Sequence, residues 1–164
     1  MAKVMILCGK IASGKTYYAN KLKKKSKAII LSVDDLMLKL SDSCLGEHHD
    51  NMASRCEHFF YGLAEQIVDN GIDVIIDFGY WSKKEREEAK EYFMNKGIAV
   101  ELHYIRIPED VRLEQLERRN AKLTEGLSKS NGRVYIIDEA LRQRLDNKFE
   151  APIDSEIDVL ISKP

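Results

Sequence analysis

The sequence predicts a three-layer α/β domain with a parallel sheet at its centre. Three observations indicate this: five short apolar runs, helix-length segments between them, and a loop with two glycines directly after the first run. Four of the runs are nearly continuous in Val, Ile and Leu, which is typical of strands buried on both faces of a parallel sheet. Alternating strand and helix implies right-handed crossovers. At 164 residues the chain is long enough for one core, so residues 1–164 are predicted to form a single domain.

The apolar runs are the predicted strands. The fourth run alternates apolar with polar side chains, and we therefore expect it nearer to an edge of the sheet. The predicted strands are Lys3 to Cys8, Ala28 to Val33, Asp73 to Asp77, Val100 to Ile107 and Ile157 to Ile161.

Five helix-length segments lie between these strands. Ser82, with Glu85 three residues on, is typical of a helix start, and a proline opens the fourth segment. Segments Ser41 to Asn51 and Thr124 to Arg133 are predicted as loops or mobile stretches. The predicted helices are Lys15 to Lys25, Arg55 to Asp69, Ser82 to Asn95, Pro108 to Asn120 and Ile136 to Lys148.

Composition argues against several classes of protein. The charged fraction of 32% and the hydrophobic fraction of 44% are ordinary for a globular chain. A formal net charge of −1 gives no global electrostatic reason to expect nucleic acid or an anionic membrane as a partner. The three cysteines lack CxxC spacing, which favours reduced thiols over a disulfide framework or a zinc site. The sequence shows no membrane-spanning run and no signal-peptide pattern, and we expect a cytoplasmic protein.

Residues 9–16 read GKIASGKT and fit the Walker A pattern, GxxxxGK followed by Ser or Thr. Glycines let such a loop curl so that consecutive backbone N–H groups face an anion, and the following helix aims its positive end at the same place. Lys15 would reach the β- and γ-phosphates of a nucleotide, and the Thr16 hydroxyl would bind Mg²⁺. The nucleotide-binding residues predicted here are Gly9, Ala12, Ser13, Gly14, Lys15, Thr16 and Tyr17.

The loop alone does not separate a switch, a motor and a phosphotransferase. The guanine-reading pattern Asn-Lys-x-Asp is not met, because the nearest string, at 147–150, ends in Glu and lies at a predicted helix end. The helix start of a transporter ATPase is also missing from the sequence. A kinase needs a carboxylate near the acceptor hydroxyl, a carboxylate beside the metal, and cations over the transferring phosphate.

Two carboxylate positions meet the first two needs. Asp34 and Asp35 follow the second strand, where we expect one to accept a proton from an attacking hydroxyl and the other to cap the next helix. Pure capping is the alternative, and Asp35 is the fallback base. Asp77 ends the third strand in the place of a Walker B acid and would hold Mg²⁺ together with Thr16. The alternative for Asp77 is a turn at the strand end.

The cations are predicted in the segment 112–122. Arg112 and Arg119 share a helix face, and Arg118 and Arg119 lie where the helix runs into a flexible segment. A lid over about residues 120–134 would bring at least one of these arginines to the phosphate or the base. For any single arginine the alternative is a solvated ion pair, such as Arg118 with Glu114.

Two further segments keep two interpretations each. Tyr80 and Trp81 come soon after the third strand, and their rings could cover a planar or sugar-like acceptor, although packing explains them equally well. Asp154 and Glu156 could face the nucleotide base, and a structural turn fixed by Pro152 is the alternative.

The chain resembles the P-loop kinase group that includes zeta-toxin-like, chloramphenicol-phosphotransferase-like and polynucleotide-kinase-like proteins. The resemblance implies the three-layer P-loop NTPase fold with a nucleoside-kinase-like parallel sheet of order 2-3-1-4-5, and ATP with Mg²⁺ at the loop. By motif, Asp34 takes the place of the hydroxyl-activating Asp, Arg119 that of the lid arginine, and Arg86 that of a recurrent arginine. The pieces that carry the resemblance are GKIASGKT at 9–16, VDD at 33–35, DFGYWSKKER at 77–86, ELHYIRIPEDVRLEQLERRNA at 101–121 and FEAPIDSE at 149–156.

One departure from this group bears on the acceptor. Polynucleotide kinases usually carry basic residues just before and shortly after the Asp pair, and here these positions are Val33 and Met37. Nucleic acid is therefore a less favoured acceptor than a small molecule with a hydroxyl group. The sequence predicts an ATP-dependent kinase with Lys15, Asp34 and Arg119 as catalytic residues. A slowly hydrolysing nucleotide-binding regulatory module and a polynucleotide 5′-hydroxyl kinase are the alternatives.

Overall fold

A computed structural model of the chain describes residues 1–40, 48–127 and 136–163. Its centre is a sheet of five parallel strands in the order β2-β3-β1-β4-β5, which confirms the predicted fold class and strand order. Because β1 is the middle strand, the glycine loop that follows it leaves from the centre of the sheet. The strands are β1 (Lys3–Cys8), β2 (Ile29–Ser32), β3 (Val74–Gly79), β4 (Ala99–Ile105) and β5 (Val159–Ile161).

The fourth strand lies next to an edge strand, nearer to an edge than the central β1, in agreement with the expectation. β4 pairs with both β1 and β5, and the edges are formed by β2 and β5. The polar side chains of β4 have partners: Glu101 accepts a hydrogen bond from Lys3 Nζ (2.7 Å), and the buried His103 ring is hydrogen-bonded to the Tyr18 hydroxyl (2.8 Å). Paired polar groups inside the structure, not solvent, produce the alternating pattern.

Helices cover both faces of the sheet. The predicted start of the third predicted helix is confirmed in detail, because Ser82 Oγ accepts a hydrogen bond from Glu85 N (3.2 Å) and Ser82 N donates to the Glu85 carboxylate (3.0 Å). The helices are α1 (Lys15–Ser26), α2 (Val33–Leu40), α3 (His49–Asp69), α4 (Lys83–Met94), α5 (Glu109–Leu127) and α6 (Glu139–Lys148), with a short 3₁₀ turn at Asp154–Glu156.

Helices α3 and α5 are longer than predicted. α3 begins at His49, so the last part of the predicted loop Ser41 to Asn51 is helical, and residues 41–47 lie outside the described part of the chain. α5 continues through Asn120, whose side chain bonds the carbonyl (2.8 Å) and the N–H (3.2 Å) of Ile137. The predicted lid over 120–134 therefore begins inside a helix, and its portion from 128 onward lies outside the described residues.

The two faces of the sheet carry separate apolar cores. Successive residues of a strand point to opposite sides, so Val4 and Ile6 pack beneath α2, α3 and α4, whereas Met5 and Leu7 pack beneath α1. All four side chains are buried. None of the helices in the described ranges is long and apolar enough to cross a membrane.

Candidate functional site

The loop between β1 and α1 has the backbone conformation of an anion-binding turn. Ala12 (φ 61°) and Gly14 (φ 95°) both adopt left-handed conformations, which turn successive N–H groups toward one concavity at the start of α1. At Gly9 a Cβ atom would lie 2.7 Å from both the Ile105 carbonyl oxygen and Ser13 Oγ. The close approach of β4 therefore requires glycine at this position, as the motif predicts.

Lys15 lies along this loop. Its Nζ donates hydrogen bonds to the carbonyl oxygens of Gly9 (2.9 Å) and Lys10 (3.0 Å). Burial lowers the pKa of Lys15, the charges of Asp77 and Asp34 oppose this shift, and the charge of Arg119 adds to it. The charges of Asp34, Asp77 and Arg119 are therefore close enough to Lys15 to alter its pKa.

Ser13 supplies an observation that bears on a ligand. Its side chain is buried, and Ser13 Oγ is one of the few buried side-chain polar atoms without a hydrogen-bond partner among the described residues. Burying an unpaired hydroxyl costs about 1–3 kcal/mol. A phosphate oxygen in the concavity of the loop would fit this donor. Tyr17, by contrast, is 64% exposed on the first turn of α1.

The two predicted metal ligands lie in contact. Thr16 Oγ1 donates a hydrogen bond to Asp77 Oδ2 (3.0 Å) at the carboxyl end of the sheet. Burial raises the pKa of Asp77, Lys15 and the Thr16 hydrogen bond lower it, and Asp35 raises it further. No group of three or more His, Cys, Asp or Glu side chains suited to a metal exists within the described ranges. A hydroxyl and one carboxylate nevertheless fit Mg²⁺, which takes few protein ligands when phosphate oxygens supply the others.

Asp34 and Asp35 occupy the first turn of α2, at the carboxyl end of β2. Neither fills the N-cap position that we assigned to one of them, because α2 begins at Val33 and Ser32 Oγ accepts a hydrogen bond from Asp35 N (3.3 Å). The Asp34 charge raises the pKa of Lys15, and the Asp35 charge raises the pKa of Asp77.

The three arginines of α5 have three different environments. Arg112 is 1% exposed, and it donates to the Ile11 carbonyl in the phosphate loop (3.1 Å) and to Asp146 on α6 (2.6 Å). Arg118 is exposed and pairs with Glu114 at 2.5 Å, as the alternative interpretation predicted. The Arg119 charge contributes to lowering the pKa of Lys15, and the role of Arg119 at the nucleotide stays a prediction.

Three residues near the site have structural roles that the sequence did not predict. Arg112, one of the three arginines of which at least one was expected to touch the phosphate or the base, donates to the Ile11 carbonyl of the loop. Cys8 precedes the loop, donates its thiol to the Tyr80 carbonyl (3.3 Å) and has a pKa raised to about 11 by burial. Glu150 binds the start of α4 through Lys83 N (2.7 Å). No local sequence signal marks these roles, because each partner lies far away along the chain.

The two aromatic residues after β3 differ in burial. Tyr80 is buried, and its hydroxyl is hydrogen-bonded to that of Tyr61 (3.1 Å). Tyr80 therefore packs against α3, as one of the two interpretations predicted. Trp81 is half-buried, and its Nε1 is a buried atom without a hydrogen-bond partner among the described residues.

A family model described as AAA domain matches residues 4–133. The chain belongs to this AAA domain family. The matched range of the chain contains the phosphate loop, Asp34, Asp77 and Arg119, and it ends before α6 and β5. A search of curated protein sequences found no match.

Solved structures share the fold of this AAA domain at low sequence identity. The APS kinase CysC of Mycobacterium tuberculosis, solved with AMPPNP and APS, has a TM-score of 0.66 and 18% identity, covering 98% of this chain and 88% of that one. Chaetomium thermophilum Kti12 in complex with ADP-AlF3 has a TM-score of 0.70 and 15% identity, covering 98% and 88%. A sugar kinase of Janibacter sp. HTCC2649 has a TM-score of 0.65 and 13% identity, covering 100% and 88%. These matches establish a P-loop kinase-like fold.

Proposed function

We propose that the protein is an ATP-dependent kinase that transfers the γ-phosphate to a hydroxyl group of a small molecule. The observation that carries the proposal is the position of Asp34 in the first turn after β2, at the same end of the sheet as the phosphate loop after β1, with its charge acting on Lys15. A switch protein needs no carboxylate at that place, whereas a kinase needs one beside the far end of the polyphosphate.

The residues of the loop bind and orient the nucleotide. The N–H groups from Ala12 to Thr16 and the Ser13 hydroxyl donate hydrogen bonds to the phosphate oxygens, and the Lys15 ammonium group binds the β- and γ-phosphates. Thr16 and Asp77 would hold Mg²⁺, which supplies neutralisation of the charge on the phosphate oxygens when it is bound.

The transfer itself assigns one role to each of two further residues. Asp34 orients the acceptor hydroxyl and takes its proton while the oxygen attacks the γ-phosphorus, and the bond from that phosphorus to the bridging oxygen breaks to release ADP. The Arg119 guanidinium stabilises the negative charge on the transferring phosphoryl group. Asp35, whose charge acts on Asp77, is the alternative base.

Several observations bear on the narrower alternatives. Among proteins of the same fold, the APS kinase was solved with the nucleotide analogue AMPPNP and with APS bound together. Val33 and Met37, which replace the basic residues of polynucleotide kinases, are buried in the apolar core. We therefore favour a small acceptor over nucleic acid, and we retain the resemblance to zeta-toxin-like, chloramphenicol-phosphotransferase-like and polynucleotide-kinase-like proteins as part of the proposal. The cytoplasm is the proposed compartment, because ATP and reduced thiols occur together there.

Transfer of labelled γ-phosphate from ATP to a panel of hydroxyl compounds (sugars, amino alcohols and nucleosides) tests the proposal. We expect one class to be phosphorylated. Asp34→Asn should lower that transfer by about 10²–10⁴-fold, the usual contribution of a general base, without weakening ATP binding. Asp35→Asn is the matched control, and its transfer should fall less than that of Asp34→Asn.

Two outcomes would replace this function by an alternative. ATP hydrolysis without transfer to any compound, unchanged in Asp34→Asn, would favour the regulatory module. Transfer to a 5′-hydroxyl oligonucleotide in preference to every small molecule would favour the polynucleotide kinase.

A further inference from the structure

The turn that follows β3 has an unusual backbone. Gly79 (φ 99°) and Tyr80 (φ 47°) are both left-handed, and Tyr80 is one of three non-glycine residues with positive φ in the described part of the chain. A Cβ atom at Gly79 would lie 2.8 Å from Trp81 Nε1, so the indole ring packs directly on the glycine. Glycine adopts this conformation without strain, whereas at Tyr80 it costs energy and persists only where surrounding contacts fix it.

This turn lies at the carboxyl end of the sheet, where phosphoryl transfer would take place. β3 lies between β1, which leads into the phosphate loop, and β2, which leads into Asp34. Ligands of open α/β sheets lie outside the carboxyl ends of the strands. Trp81, two residues past the end of β3, is therefore at the end of the sheet where the nucleotide and the proposed base would lie, and its side chain is half-buried.

Glu150, from the segment after α6, holds both sides of this turn. Its backbone N–H donates to the Trp81 carbonyl (2.7 Å), and its carboxylate accepts from Lys83 N (2.7 Å), the first residue of α4. The carboxylate thus caps α4 from a distant part of the chain, in addition to the local cap by Ser82.

Arg86 fixes the segment that carries Glu150. It is buried, and its Nη1 donates to the Glu150 carbonyl (2.8 Å) while its Nη2 pairs with Glu156 (3.0 Å). Glu156 is thereby paired with Arg86, which favours the structural one of the two interpretations above. The two sequence pieces DFGYWSKKER and FEAPIDSE are bonded to each other in the fold.

We propose that Glu150 and Arg86 are positioning residues for the acceptor: they hold Trp81 so that its ring forms the wall against which the acceptor packs. The acceptor is then a molecule with an apolar or planar face, such as a sugar ring or a flat heterocycle, beside its reactive hydroxyl. This inference rests on the proposed kinase function, and it adds the acceptor class and the part of the chain that selects it.

The test uses Trp81 as its own reporter, since it is the single tryptophan of the chain. Glu150→Ala removes the remote cap, and Glu150→Gln keeps an oxygen that can accept from Lys83 N. Glu88→Ala, which breaks an exposed pair with Lys84 (3.6 Å) on the same helix, is the matched control. For each variant we would measure acrylamide quenching of tryptophan fluorescence, affinity for a fluorescent ATP analogue, and KM for the phosphorylated member of the hydroxyl panel.

Glu150→Ala is expected to increase quenching and to raise the acceptor KM about fivefold, which corresponds to the ~1 kcal/mol of a lost helix cap. Affinity for the ATP analogue should remain as in the native protein. Glu150→Gln should restore most of both properties, and Glu88→Ala should change neither. Arg86→Lys should resemble Glu150→Ala if it folds, and Glu150→Ala decides the outcome if it does not.

Three results would overturn the inference: unchanged Trp81 quenching in Glu150→Ala, an acceptor KM that does not follow the quenching, or an ATP affinity that falls as far as the acceptor affinity. The fluorescence and ATP measurements need no acceptor. If no compound of the panel is phosphorylated, the proposed function fails, while quenching still decides whether Glu150 holds the turn.

Discussion

Replacing Arg112 is the perturbation that most sharply separates fixing the phosphate loop from contacting the phosphate. Arg112→Leu removes a buried guanidinium that joins the Ile11 carbonyl in the loop, Asp146 on α6 and Glu109 on α5. Breaking a buried ion pair costs about 3–5 kcal/mol. The lower end applies here, because Asp146 keeps a second partner in Arg142 (3.1 Å).

The same substitution should reach the nucleotide through the loop. The Ile11 carbonyl loses its bond, which adds about 1 kcal/mol. We therefore expect Arg112→Leu to lower the free energy of unfolding by about 3–4 kcal/mol and to weaken ATP binding about fivefold. Urea denaturation and titration with ATP, both at a temperature where the variant is folded, measure these two effects.

Arg118→Leu is the matched control on the same helix. Its side chain is 71% exposed and has one partner, Glu114, one turn away. Such a pair contributes about 0.2–0.5 kcal/mol, so stability and ATP affinity should hardly change. The double variant Arg112→Leu/Asp146→Leu should recover part of the lost stability, because it also removes the carboxylate that has lost its buried partner and keeps only Arg142. A loss below about 1 kcal/mol in Arg112→Leu, or an unchanged ATP affinity, would refute the reasoning.

Three other perturbations test separate parts of the site. Gly9→Ala places a Cβ 2.7 Å from the Ile105 carbonyl, so it should cost about 1–3 kcal/mol and abolish the thermal stabilisation by ATP; full stabilisation would contradict the tight loop geometry. Thr16→Val removes the hydroxyl bonded to Asp77, so Mg²⁺ should no longer strengthen ATP binding in calorimetry, while binding in EDTA stays near native; an intact Mg²⁺ effect would exclude Thr16 as a ligand. Burial and then the Glu85 charge raise the pKa of Glu57 to about 7 from 4.5, so the folded state keeps this proton longer than the unfolded chain and loses stability as the pH rises from 4.5 to 7. Glu57→Gln should therefore be more stable than the native protein by about 1–2 kcal/mol at pH 8, after allowance for partial exposure, with a smaller difference at pH 5; equal differences at both pH values would show that Glu57 titrates normally.

Local patterns predicted the elements whose causes are local. The phosphate loop, the capping box at Ser82 and the apolar strands all follow from residues within a few positions of one another, and each was confirmed. The strand order came from the resemblance, because pairing between strands leaves no mark in a single strand's sequence.

Features that depend on distant partners escaped prediction. The alternating pattern of β4 indicated a position nearer to an edge, but the sequence does not show that Lys3 and Tyr18 reach Glu101 and His103. Arg112 was grouped with Arg119 by helical spacing, yet Arg112 is buried and donates hydrogen bonds to Asp146 on α6 and to the loop carbonyl of Ile11.

The predicted split between Asp34 and Asp35 failed for a smaller reason. Helix boundaries shift easily by a residue or two, and here the start at Val33 moves the N-cap to Ser32 and leaves both aspartates in the first turn. Because of this shift, neither aspartate caps α2.

A crystal structure with a non-hydrolysable ATP analogue and Mg²⁺ tests the central claim most directly. We predict the triphosphate inside the loop from Gly9 to Thr16, the cation on Thr16 and Asp77, and the Asp34 carboxylate facing the γ-phosphate. A triphosphate bound elsewhere, or an Asp34 carboxylate directed away from the γ-phosphate, would contradict the account.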